Sequence, residues 1–185
     1  TMQIRTTTFI ILILMASPLF GQGTVPDDVA ANIEKAEGYL AEGKNNAAAQ
    51  LFNQSAYALR AQNNFTKAAE LYQKVLEINI SLGNGHGQMI THNSIAMVHL
   101  EAENYQGAIT HLEKELVFRK KLKDKIDIIN VLTNLAMAQN ELGSYDSGIE
   151  NIEIAINLSN ELSNLLLLKQ SYGVAAELYE SKGNP

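Results

Sequence analysis

Four histidines, at positions 86, 92, 99 and 111, have the widest chemical range of any side chains in this sequence. His92 and His99 stand seven residues apart in a stretch with helical periodicity, which separates them by about 10.5 Å along a helix axis. A metal ion holds imidazole nitrogens at about 2 Å, so these two cannot share one ion. His86 lies in the glycine-rich run Gly83-Asn84-Gly85-His86-Gly87, and His111 lies on a different helix. Polar or packing roles are therefore expected for all four, and no metal site. The glycine-rich run lacks the preceding strand and the Lys-Ser/Thr pair that a phosphate loop needs, so it reads as a longer, flexible turn between helices. The chain has no cysteine, which removes disulfides, thiol catalysis, thiolate-bound zinc and a lipid-modified cysteine together. The basic run Arg119 to Lys125 falls where a helix ends, and cations there complement the helix dipole. No Ser/His/Asp set and no paired carboxylates stand out. No catalytic residue, no cofactor and no enzymatic activity are expected.

The elements that would position any functional side chain are helices. Hydrophobic residues make up 46% of the chain, yet only 6% is aromatic and there are three prolines, a balance that favours helix over sheet. The formal net charge of −6 argues against nucleic acid or an anionic membrane surface as the main partner. The sequence repeats itself at an offset of 40 residues. Small residues recur at Ala56, Ala96, Ala136 and Ala176, and aromatics at Phe65, Tyr105 and Tyr145. Three residues after each aromatic comes Ala68, Ala108 or Gly148, and large apolar residues follow at Tyr72, Leu112 and Ile152. Within each copy the apolar positions step by three and four, which is helical spacing. Breaks before each aromatic make every copy two helices joined by a tight turn. Neither helix could bury its apolar stripe alone, so neighbouring copies must stack.

A small residue, a turn, an aromatic, an alanine three later and then a large apolar residue: this order resembles the tetratricopeptide repeat. The resemblance covers Ala47 to Pro185, about three and a half units, and the 40-residue period is similar to the extended form with a lengthened second helix. It implies an all-α fold, a right-handed superhelical solenoid of antiparallel helix pairs. The units would span 46–84, 86–124 and 126–164, with a half unit at 166–185, inside a repeat domain of 45–185. Residues 24–44 would form an N-terminal capping helix. Three features depart from the family pattern: Asn63 and Glu103 stand where glycine usually precedes the aromatic, Glu115 replaces a small residue, and the terminal proline is missing.

In this family the first helix of each unit lines a concave groove. Carried over residue by residue, the groove positions are Asn53, Gln54, Tyr57 and Arg60, then Ile90, Asn93, Ser94, Met97 and Glu101, then Asn130, Thr133, Asn134, Met137 and Glu141. Among these, Asn53, Gln54, Tyr57, Asn93, Met97, Asn130, Asn134 and Met137 are the expected peptide-binding residues. Carboxamides can pair with both the N–H and C=O of an extended peptide, and Met and Tyr add adaptable apolar contact. Only Arg60 is basic, which disfavours the clamp that other members of the family use for a C-terminal carboxylate. The expected partner is a protein or peptide, through a scaffold rather than a catalyst. A sensory region of a longer signalling protein and a self-assembling subunit are the alternatives.

The two ends carry separate expectations. Arg5, the apolar run Phe9 to Met15 and small residues near Gly21 and Gly23 have the order of a secretory signal peptide, assigned to residues 1–23. Left uncleaved, the same segment would be an inner-membrane anchor and the only membrane contact. An exported, periplasmic or secreted, bacterial protein is expected. At the other end, Tyr172, Ala175, Ala176 and Tyr179 share one face of a last helix. That face suits a missing second helix or another copy of the chain, and so a homo-oligomer.

Overall fold

The computed structural model describes residues 24–183, so the expected leader at 1–23 lies outside the described residues. Eight helices run in order: α1 Asp27–Ala41, α2 Asn45–Ala61, α3 Phe65–Ser81, α4 Gly85–Glu101, α5 Tyr105–Leu122, α6 Lys125–Glu141, α7 Tyr145–Glu161 and α8 Leu165–Gly183. From α2 onward successive helices start 20 residues apart, at 45, 65, 85, 105, 125, 145 and 165. The 40-residue sequence period is thus two helix-turn units of equal length.

The turns explain that regularity. Two residues before each of these helices the backbone turns left-handed, at Gly43, Asn63, Gly83, Glu103, Lys123, Gly143 and Ser163. At all of these turns but the one at Lys123, the amide of the following residue then bonds back to the carbonyl five positions earlier, as in Asn64 N to Leu59 O at 2.9 Å and Asn104 N to His99 O at 2.8 Å. This double closure ties off carbonyls that the helix end leaves unpaired. Where that residue is an asparagine, it also opens the next helix. Asn84 Oδ1 accepts from Gly87 N at 3.0 Å, Asn104 Oδ1 from Gly107 N at 3.1 Å, and Asn164 Oδ1 from Leu167 N at 3.1 Å. One asparagine therefore closes one helix and caps another.

The glycine-rich run corrects an expectation. It is not a long, flexible turn: Gly85, His86 and Gly87 are already in α4, and the turn is Leu82 to Asn84, the same length as its neighbours. A hydrogen-bond chain pins it. Asn84 Nδ2 donates to Asn79 Oδ1 at 2.9 Å, and Asn79 Nδ2 donates to Thr91 Oγ1 at 3.2 Å. Gly87 is needed for this closeness, since a Cβ there would come within 2.2 Å of Asn79 Oδ1. Composition suggested mobility, and side-chain amides impose order.

The core runs in three linked apolar clusters. The first gathers α1 to α4 around Phe52, Leu59 and Leu71. The second joins α4, α5 and α6 through Ala96, Leu112 and Leu135, and the third joins α6, α7 and α8 through Leu132, Ile152 and Leu178. Helices α4 and α6 each contribute to two clusters, so each couples neighbouring units. Ala56, Ala96 and Ala136 are completely buried at close helix contacts, whereas Ala176, in the same register, is exposed. Among the described residues no helix packs over that face of α8, and Leu165 and Leu166 beside it are 79% and 75% exposed.

Candidate functional site

Helices α2, α4, α6 and α8 form one layer. Arg60 of α2 reaches Glu101 of α4, and side chains of α4, α6 and α8 line a common cavity. The positions carried over from the repeat family sit on this layer with unequal access. Asn53, Gln54, Asn130 and Met137 are exposed, and Tyr57 is 66% exposed. Met97 and Asn134 are half-buried. Two positions point inward instead. Asn93 Nδ2 donates to Glu115 Oε2 at 3.0 Å, and buried Thr133 donates its hydroxyl to Ile129 O at 2.9 Å. Thr133 has no access to a ligand, and Asn93 has committed its amide donor to α5.

The strongest polar contact on the layer is a two-pronged ion pair. Arg60 Nε meets Glu101 Oε2 and Nη2 meets Oε1, both at 2.7 Å. Hydrogen bonding to the guanidinium holds the Glu101 carboxyl below its ordinary range, and the same bond raises Arg60. The pair forms one wall of a cavity of about 510 Å³, together with Tyr57, Ala61, Asn63 and Phe65.

A second cavity, about 260 Å³, lies one repeat further along. It draws Asn134 and Met137 together with Leu100, Tyr105, Glu141 and, from α8, Val174 and Glu177. Desolvation, then the charges of Glu141 and Glu103, raise the Tyr105 phenol above its ordinary range. Leu100, Tyr105, Val174 and Glu177 were not among the carried-over positions. The signal was available: adding 40 to Arg60, Phe65 and Glu101 gives Leu100, Tyr105 and Glu141. Val174 and Glu177 needed the packing of α8 against α6.

Two further polar groups lie between helices. His111 stacks between His92 and His99, with ring centroids 5.2 Å and 5.8 Å away, and His92 Nδ1 lies 3.0 Å from His111 Nδ1. Burial, then the neighbouring His92 and His99, lower the His111 pKa to about 4. Burial also lowers His92, helped by Lys114, and His99. Among the described residues no group of three or more His, Cys, Asp or Glu side chains is arranged to hold a metal. The second group is centred on Glu115, 1% exposed, which accepts from Arg119 Nε at 3.0 Å while Arg119 also pairs with Asp127 of α6. Arg119, read from the sequence as complementing a helix dipole, thus also neutralises a buried carboxylate.

Comparison with known proteins puts this geometry in context. Residues 47–121 match the tetratricopeptide repeat family. No curated protein matches the chain. Among solved structures, it is similar to the nearly identical TPR-like repeats of a putative kinesin light chain from Podosopora anserina, seen in two crystal structures. One of these is 17% identical with a TM-score of 0.63, covering 84% of this chain and 87% of that one. The other is also 17% identical, with a TM-score of 0.55, over 84% and 93%. It is likewise similar to a signal transduction ATPase with numerous domains from Pyrococcus horikoshii, which has a tetratricopeptide repeat sensor. That match is 21% identical with a TM-score of 0.64 over 83% of this chain, and the chain spans only 26% of that protein. The fold is an all-α solenoid of antiparallel helix pairs, as the resemblance implied. Repeats of this kind generally serve as non-catalytic scaffolds that bind proteins or peptides.

Proposed function

We propose that this chain, of which residues 47–121 match the tetratricopeptide repeat family, is a non-catalytic scaffold that binds a protein or peptide segment along the layer of α2, α4, α6 and α8. The observation that carries the reading is the alignment of that layer: exposed Tyr57 and Met137 line two open cavities one repeat apart, and Asn53, Gln54 and Asn130 are exposed on the same helices, α2 and α6. An extended segment lying across successive helices would meet an amide or an apolar side chain at each step. The test uses peptides selected from a random display library on the wild-type protein. Replacing Asn53, Tyr57 and Asn130 together by alanine touches only exposed side chains, so folding is spared. Affinity should fall roughly tenfold or more, and unchanged affinity would remove the groove as the binding face.

The proposal includes export, with residues 1–23 acting as a cleaved signal or a retained inner-membrane anchor. The order of Arg5, the apolar run and the small residues supports it. Among the described residues no helix is long and apolar enough to cross a membrane. N-terminal sequencing of protein recovered from separated cell fractions tests it directly. A second reading, a sensory region of a larger signalling protein, is favoured by the Pyrococcus horikoshii relative, whose repeats are a sensor within a much longer chain. Self-association through α8 is supported by exposed Tyr172 and Tyr179, and a monomer by light scattering at high concentration would remove it.

A further inference from the structure

The two cavities are the same place in successive repeats, and they differ by two charges. In the first, Glu101 is neutralised by Arg60 through two 2.7 Å contacts. Forty residues on, Glu101 becomes Glu141, Phe65 becomes Tyr105 and Arg60 becomes Leu100. The carboxylate is kept and its cation is lost. Glu177 of α8 adds a second carboxylate to this cavity, and neither Glu141 nor Glu177 has a cationic partner among the described residues. Asn140, in the register of Arg60 one repeat later still, lines the same cavity, and its Oδ1 is buried without a hydrogen-bond partner. Apolar walls come from Leu100, Met137 and Val174.

We propose that this cavity takes a lysine or arginine side chain from the bound polypeptide. The incoming cation would stand against Glu141 and Glu177 where the guanidinium of Arg60 stands against Glu101, one repeat away. Its methylene stem would lie on Leu100, Met137 and Val174. The Tyr105 ring offers a face for the charge, and Asn140 Oδ1 offers an acceptor. Charge complementarity selects this occupant: an acidic side chain would meet two uncompensated carboxylates, and an apolar one would leave them desolvated without a partner. The inference rests on the groove reading above and assigns it a basic partner segment.

The test uses the 185-residue chain, labelled for amide NMR, with n-butylguanidinium and n-butylammonium as side-chain mimics and n-butanol as the uncharged control. Both cations should give saturable shifts confined to amides around Asn134 to Glu141 and Val174 to Glu177, and butanol should give none. Glu141→Gln with Glu177→Gln, both exposed and so safe for folding, should abolish saturation. Leu100→Arg should rebuild the first cavity's ion pair in the second and block both cations. Library-selected peptides should carry Lys or Arg, and changing that residue to norleucine should cost roughly tenfold or more. Absence of saturable shifts, shifts that survive Glu141→Gln/Glu177→Gln, or indifference of the peptides to norleucine would each overturn the proposal. The two readings separate cleanly. Peptides that weaken with the Asn53, Tyr57 and Asn130 triple while the cations fail to bind keep the groove and remove the cation site. Cations that bind while the triple has no effect do the reverse.

Discussion

A buried carboxylate is tolerated only with its partners in place, and Glu115 shows what that demands. Arg119 and Asn93 supply its hydrogen bonds from α5 and α4, and Arg119 ties the group to Asp127 of α6. Arg119→Ala should therefore cost about 3–5 kcal/mol, because it strands the charge rather than removing it. Denaturant titration checks this, and adding Glu115→Gln to the Arg119→Ala variant should recover part of the loss. The imidazole stack makes a prediction of opposite dependence on charge. The folded pKa values of His92, His99 and His111 lie below the ordinary 6.5, that of His111 at about 4. The unfolded chain then binds protons first as pH falls, so the stack's contribution is complete above 6.5 and is lost towards pH 4. Allowing for the half-exposure of the rings, the loss is about 1–2 kcal/mol, or about 2–8 °C in Tm, and His111→Gln should flatten that slope. Neither group was legible in the sequence. Spacing along one helix correctly separated His92 from His99, but His111 enters from another helix, and no periodicity reports which side chains meet across a crossing.

At the scale of the element, the 40-residue register was plain because alanine and aromatic positions carry the packing. Its halving into 20-residue units was not, because the halves share turn geometry rather than residue types. Glycine, asparagine, glutamate, lysine and serine all occupy the left-handed position. A side chain is strained there, so Glu103→Gly and Ser163→Gly should each stabilise by about 0.5–1 kcal/mol in thermal unfolding. Ala96 and Ala136, completely buried, predict the reverse sign. Leucine at either should overpack a helix contact and cost about 1–3 kcal/mol, measured as a lowered denaturant midpoint.

Across the whole molecule, the apolar clusters hand over at α4 and α6, so each unit is held by its neighbours as well as by itself. The layer proposed to face a partner was placed by analogy with the repeat family. The partition of its residues into exposed, half-buried and inward-turned came only from packing, as Thr133 and Asn93 show. The equal spacing of helices gives the array a parity. Odd and even helices alternate between the two layers, so any inserted block is read modulo 40 residues. Duplicating 85–124 should lengthen the array by one unit and leave every downstream side chain on its own layer. Duplicating 105–124 alone would invert everything after it, sending the cavity-lining faces of α6 and α8 to the opposite layer. Circular dichroism and amide spectra of the two insertions should show a cooperative, native-like fold for the first and a disrupted C-terminal half for the second.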